Sequence, residues 1–461
     1  MQGLTERLMQ KHDKTRIRNR LAGLTGPVFV ETLLLMMLGV VDTVMLGRYS
    51  DASVAAVGVC NQLFNLVILA FAMVSGGASV LCSQYFGARA SRSVMQVIGV
   101  AFLCSLGIGL LFSLLMFFGG HQLLTLMDLR PELMPDGMSY MRIVGGGLFM
   151  AAVGMTMASI LRSANMAGYP MRVSLIANLL NIIGNYTFIF GNFGMPELGV
   201  AGAATSTLVS RGVAMILLFG LVWRKLLRDF TLSLMRPFPT DKLHTMLTIG
   251  LPAMGEGFSY SLSQVTITYF INTLGTAALA ARTYAMGIIT FSFVFAMALG
   301  LSGSITAGHL IGEGHKQAAW LIGRYCIRIA IMVSLAIASV SALAGRTIMN
   351  LISSNPEVID MVVLVLFIDV ILEIGRAVNI LCVNLLRAAG DVTYAFLVGL
   401  VVMWGVATGL GYCFGIALGW GLAGMWVAFA MDENIRAILL SRRWYKKIWM
   451  RRELIDRKRA E

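Results

Sequence analysis

The residues able to do chemistry in this chain sit inside apolar runs, and they recur at helical spacing. GPVFVETLLLMMLGVVDTVMLG, from Gly26 to Gly47, holds two carboxylates, Glu31 and Asp42. Their separation is about three helical turns, which puts them on one face roughly 16 Å apart. The stretch ANLLNIIGNYTFIFG carries Asn178, Asn181 and Asn185 at spacings of 3 and 4, one polar stripe. A similar stripe joins Glu256, Ser259, Tyr260 and Ser263, and a third joins Asp369, Glu373 and Arg376. Asp432 and Arg436 are one turn apart near the end of the last apolar run.

A carboxylate in such surroundings can take up and release a proton or a small cation. Holding it at a bilayer centre costs about 2.5–3.5 kcal/mol, so it faces a cavity or a partner. Each group also has a structural reading. Amides glue helices together. Glu373 with Arg376, and Asp432 with Arg436, can form ion pairs. Glu31 can bond a backbone amide freed near Pro27. Asp42 resists such a reading, because no cation in its own span lies one turn away.

The elements that position these residues are transmembrane helices. Of the 461 residues, 57% are hydrophobic and 13% charged, and the mean hydropathy is +0.79. Apolar runs of about 20 residues, long enough for hydrocarbon roughly 30 Å thick, recur throughout. The alternation of a β-barrel is missing. Twelve helices are predicted, centred near residues 36, 67, 107, 148, 180, 211, 258, 296, 335, 373, 405 and 430. The basic N-terminus reads as retained, with no cleavable signal peptide.

The net charge of +13 is concentrated in the N-terminus (Lys11, Lys14, Arg16, Arg18, Arg20), the middle (Arg224, Lys225, Arg228) and the tail (Arg442, Arg443, Lys446, Lys447, Arg451, Arg452). Such clusters anchor topology on one side of a membrane and argue against nucleic acid; they place both termini in the cytoplasm. The six cysteines form no CxxC pair and read as buried free thiols, with no disulfide and no metal site.

The chain divides at its longest polar interruption. The predicted organisation is an N-terminal lobe (1–223, six helices), a cytoplasmic linker (224–243), a C-terminal lobe (244–441, six helices) and a basic cytoplasmic tail (442–461). The halves are related at a constant offset of 225, which matches Pro27 with Pro252, Glu31 with Glu256, Ser79 with Ser304, Gly87 with Gly312, and Leu161-Arg162 with Leu386-Arg387. Six spans per half give both halves the same orientation. Parallel repeats of this kind mark secondary transporters, whose substrate site lies between the halves.

The chain resembles the multidrug and toxic compound extrusion (MATE) family over nearly its full length. The resemblance rests on VDTVMLGRYS from Val41, LRSANM from Leu161, NIIGNYTFIFGNFGMPELGVAGAA from Asn181, LRAAGD from Leu386 and LGWGLAGMW from Leu418. It implies an all-α fold of two pseudo-symmetric six-helix lobes around a central cleft, and drug export coupled to inward H⁺ or Na⁺. It also implies an ion-coupling site at Asp42, matching the first-helix Asp of many members, with Asn181 matching the fifth-helix Asn and Thr207 the sixth-helix Thr. Asn185 stands where many members carry a second Asp. That loss of charge weakens a Na⁺ site and leaves Asp42 as the main titratable group, so H⁺ is the expected coupling ion. Glu31, Glu256, Tyr260, Ser263, Asp369 and Glu373 are candidates for substrate binding or a second coupling site. Glu256 and Glu373 qualify by helix and type, not by exact alignment with the carboxylates of the NorM-like branch.

The function expected is export of organic, cationic or amphiphilic compounds by a monomer in the cytoplasmic membrane, with no cofactor. An exporter or flippase of a native metabolite, such as a flavin, nucleotide or lipid-linked saccharide, is the alternative. No HExxH, paired-Asp or supported GxSxG motif points to an enzyme.

Overall fold

The computed structural model of the chain describes residues 11–455; the ends of the predicted tail and N-terminus, 456–461 and 1–10, lie outside the described residues. The described residues contain no strand and form twelve successive helical spans. These are α1 Lys11–Tyr49, α2 Asp51–Gly87, α3 Ser91–Leu126, α4 Pro131–Gly145 with Leu148–Ser163, α5 Gly168–Phe188 and α6 Gly199–Leu226. The second six are α7 Thr240–Thr273, α8 Thr276–Gly312, α9 Lys316–Ile352, α10 Pro356–Ala388, α11 Val392–Ala417 and α12 Gly421–Tyr445.

Local chemistry sets the boundaries. Ser50 is extended and its hydroxyl accepts from the Ser53 amide, starting α2 with Asp51 in its first turn. Asn355 caps α10 in the same way, its Oδ1 accepting from the Glu357 amide at 3.0 Å, with Pro356 opening the helix. The turn from α7 to α8 passes through Gly275 at φ 104°, where a side chain would be strained. α4 bends by 43° at the Gly145–Gly147 run, and α11 winds as π-helix over Met403–Leu410 and Cys413–Ala417.

Among the described residues seven helices are by length and composition able to cross a membrane, and the bent α4 pair makes an eighth. The others, α5, α7, α10 and α12, hold the asparagine stripe and most of the intramembrane charge. Their polar and charged residues set these four apart from the other spans.

The chain forms two compact units. One runs from Ala22 to Met254, and the other joins the segment ending at Leu21 to the residues from Gly255 onward. In the first, α4 is the hub, packed on α2, α3 and α6, with α5 against α6. Its core includes Phe64, Phe71, Tyr140, Met141 and Leu148. The start of α7 belongs here: Met246 is buried, and a Cβ on Gly77 would lie 2.4 Å from its carbonyl oxygen.

In the second unit the hub is α10, packed on α8, α9 and α12. One core cluster gathers Leu381, Leu385, Cys326 and Trp444, another Ile267, Ile271, Val362 and Trp426. The start of α1 belongs to this unit. Leu21 joins its core, and Arg18 donates to the Tyr325 hydroxyl at 3.1 Å. All six cysteines are free; against the expectation of burial Cys104 is only half-buried and Cys413 is exposed, the latter because the last turns of α11 lie at the surface of their unit.

Candidate functional site

Three helices of the first unit converge on Asp42. Asp42 comes from α1, Asn178, Asn181 and Asn185 from one face of α5, and Ser206 and Thr207 from α6. Asn185 Nδ2 donates to Asp42 Oδ1 at 2.6 Å and to Asn181 Oδ1 at 3.2 Å. Asn181 Nδ2 donates to Thr207 Oγ1 at 3.3 Å, and the Ser206 hydroxyl donates to the Asn181 carbonyl at 2.8 Å. Asn178 Nδ2 caps the Leu34 carbonyl of α1 at 2.9 Å. The result is one hydrogen-bonded chain from carboxylate to hydroxyl across α1, α5 and α6.

Burial grades along this chain. Asn181 and Asn185 are fully buried, whereas Asp42 is partly exposed. A second carboxylate in place of Asn185 has no proton to donate when ionised, so only the amide makes this bond. The close packing of α5 on α6 needs Gly184, where a Cβ would lie 2.4 Å from Ser206 Oγ. Arg211 of α6 acts electrostatically on Asp42, which in turn acts on Tyr140 of α4, and sequence reading did not place either there. Arg211 is one turn beyond Thr207, a signal that was available; Tyr140 gave none.

The repeat has a structural counterpart. Arg162 Nη1 donates to Glu31 Oε1 at 2.8 Å, and Arg387 Nη2 donates to Glu256 Oε2 at 2.6 Å. Each pair joins a residue four past a helix proline to the Leu-Arg of the hub helix, α4 or α10, with 131 residues between partners in both cases. Glu31 therefore lies with Arg162 in the first unit, whereas Glu256, Tyr260, Ser263, Asp369 and Glu373 lie in the second.

In the second unit Tyr260 is exposed, and the Ser263 and Thr408 hydroxyls are 2.8 Å apart. Ser259 Oγ accepts from Trp404 Nε1 at 2.9 Å. Asp369 and Glu373 are buried, with Arg376 bonded to Glu373 and 3.9 Å from Asp369. Arg282 is held by Thr268 and by Gln264 Oε1. Among the described residues no three His, Cys, Asp or Glu gather as a metal ion requires.

The family model MatE matches the chain twice, over residues 27–187 and 252–413. The chain belongs to the MatE family. The two matches start 225 residues apart, the offset of the internal repeat.

Full-length relatives agree. The chain is 38% identical to "Uncharacterized transporter YisQ" of Bacillus subtilis (strain 168), covering 94% of this chain and 95% of YisQ. It is 24% identical to "Probable multidrug resistance protein NorM" of Thermotoga maritima, covering 98% of each, and 26% identical to "Multidrug resistance protein MdtK" of Pectobacterium atrosepticum, over 91% and 93%. The fold is similar to that of an outward-facing multidrug resistance MATE family transporter of the MOP superfamily, with a TM-score of 0.86, 21% identity, and 95% and 97% coverage. It is also similar to a MOP superfamily transporter from Pyrococcus furiosus Vc1 (DSM3638), with a TM-score of 0.85, 22% identity, and 94% and 96% coverage. The MatE chain is thus an all-α, multi-pass membrane protein of a transporter family, with the twelve-helix architecture of its structural relatives.

Proposed function

We propose that this MatE protein is a proton-coupled antiporter that exports organic, cationic or amphiphilic compounds by alternating access. It works as a monomer in the cytoplasmic membrane with both termini inside. The names of the NorM and MdtK relatives support the substrate class. The single observation that carries the coupling site is the chain Asp42–Asn185–Asn181–Thr207. Asp42 has an amide as its bonded partner, whereas Glu31 in the same unit is matched by a guanidinium.

Asp42 takes a proton from the external side. The neutral acid loses the charge that strengthens the Asn185 contact and gains an O–H that needs an acceptor, so α1 repacks against α5. A coupling ion acts only through its different affinity for two states, and this rearrangement supplies the difference. Glu256 and Glu373 attract the cationic substrate in the second unit, with Asp369, Tyr260 and Ser263 beside them; Glu31 serves that role in the first unit only when Arg162 releases it.

The test is ethidium or norfloxacin efflux from vesicles carrying the protein, with pH and Na⁺ gradients imposed separately. Efflux should follow the pH gradient and be abolished in Asp42→Asn. Proton-driven, saturable efflux surviving in Asp42→Asn removes Asp42 as the coupling residue. Efflux driven by Na⁺ alone removes the proton.

A further inference from the structure

Most cations within the helices of the second unit that carry its polar stripes are matched by acids. Arg376 is bonded to Glu373 and Arg436 to Asp432. Arg387 meets Glu256 at 2.6 Å, and Arg443 Nη2 donates to Asp391 Oδ1 at 2.9 Å. Arg282 stands apart from these. It lies in the second turn of α8, and among the described residues no carboxylate pairs with it. Its two hydrogen bonds go to neutral acceptors of α7: Nη1 donates to the Thr268 hydroxyl, and Nη2 donates to Gln264 Oε1 at 2.9 Å.

These two bonds do not account for the charge, because a neutral amide also has two N–H donors. They use two of the five N–H groups of the guanidinium, on a residue that is partly exposed. A charge held within a membrane span without an opposite partner is costly, and it marks a place where a ligand supplies that partner.

The acceptors belong to a ladder on α7. Glu256, Tyr260, Gln264 and Thr268 follow one another at intervals of four, so they share a face of that helix. The ladder has an acid at one end, and Arg282 is tied to the other. Glu256 and Gln264 are roughly 12 Å apart along the axis. Tyr260 lies between them, 47% exposed and within electrostatic reach of Arg282. Its ring offers an apolar platform with a polar tip midway between the two charges. One guanidinium among neutral neighbours balances a single negative charge. That suits a carboxylate, which the planar fork can meet with two parallel bonds, better than a phosphate monoester of charge about −2.

We propose that Arg282, set by Gln264 and Thr268 beside Tyr260, is an anion subsite that takes the carboxylate of a zwitterionic amphiphile whose cationic end is drawn toward Glu256. This rests on the reading of the second unit as the place that attracts a cationic substrate. It narrows that substrate class to molecules that carry both charges.

Calorimetric titration of the purified full chain in detergent tests the subsite without any gradient. It compares norfloxacin, a zwitterion, with norfloxacin ethyl ester, which keeps the amine and lacks the carboxylate. Wild type should prefer norfloxacin by about tenfold or more, the scale of a hydrogen-bonded charge pair. Arg282→Gln should abolish that preference, and Arg282→Lys should keep part of it. A merely structural role weakens both compounds together and leaves their ratio as in wild type; that result overturns the subsite. If Arg282→Gln fails to fold, the wild-type ratio decides, and equal affinities for acid and ester overturn the subsite too. Ethidium, a cation without a carboxylate, separates this proposal from the one it rests on. Wild type that binds ethidium but not norfloxacin removes the subsite and keeps the cation exporter, whereas wild type that binds none of the three compounds removes both.

Discussion

At the scale of residues, two carboxylates of one helix have different fates. Glu31 is neutralised by Arg162 inside the first unit, their side chains only 6% and 12% exposed. Removing one partner of a buried pair leaves an uncompensated charge and costs about 3–5 kcal/mol. Arg162→Gln should therefore lower the melting temperature markedly. Arg387→Gln should lower it less, because the Glu256–Arg387 side chains are 16% and 26% exposed and water screens what remains. Equal losses in thermal-shift measurements would contradict this ordering. Asp42 instead meets an amide. Asn185→Asp restores the second acidic group of many family members and removes the donor to Asp42; efflux in that variant should become stimulated by an inward Na⁺ gradient. The asparagine stripe was legible because spacings of 3 and 4 alone put residues on one helix face. Tyr140 and Arg211 were not assigned, since which helices meet at Asp42 is a non-local fact.

At the scale of elements, close helix approach holds the site together. A Cβ at Gly202 would lie 2.3 Å from the Phe188 carbonyl oxygen, a backbone atom with no side-chain freedom to yield. At Gly184 the obstacle is the Ser206 hydroxyl. Overpacking costs about 1–3 kcal/mol. Gly202→Ala should thus destabilise the protein more than Gly184→Ala, and adding Ser206→Ala to Gly184→Ala should recover part of the loss. Denaturation midpoints in detergent measure both, and a neutral Gly202→Ala would argue against the α5–α6 geometry. The helices themselves were legible from hydropathy, their predicted centres falling inside the twelve observed spans. The break in α4 and the π-helix of α11 were not, because such windings depend on what the neighbouring helix allows.

At the scale of the whole molecule, the basic clusters predict one side for both termini. A cysteine introduced at Lys446, which is exposed, should react with membrane-impermeant maleimide only after inside-out vesicles are prepared; labelling in intact cells would reverse the topology. Composition, the 225-residue offset and the basic loops determined by themselves a twelve-helix, duplicated membrane transporter, because membrane insertion is governed by local hydropathy and charge. The same offset flagged Pro-x-x-x-Glu and Leu-Arg as repeated, but only the fold joined them into two ion pairs. Leu21 and Met246 are also 225 apart, and only the fold placed each outside the half its sequence position suggests. Ile267, the repeat counterpart of Asp42, became buried core, and Asp432 kept Arg436 of its own helix as partner while Glu433 beside it accepts from Asn379 of α10. Sequence periodicity assigns a residue to a face of its own helix. Periodicity sufficed for the pairs within one helix, Glu373 with Arg376 and Asp432 with Arg436; packing between segments far apart in the chain decided the partners of Glu31, Asp42 and Glu256.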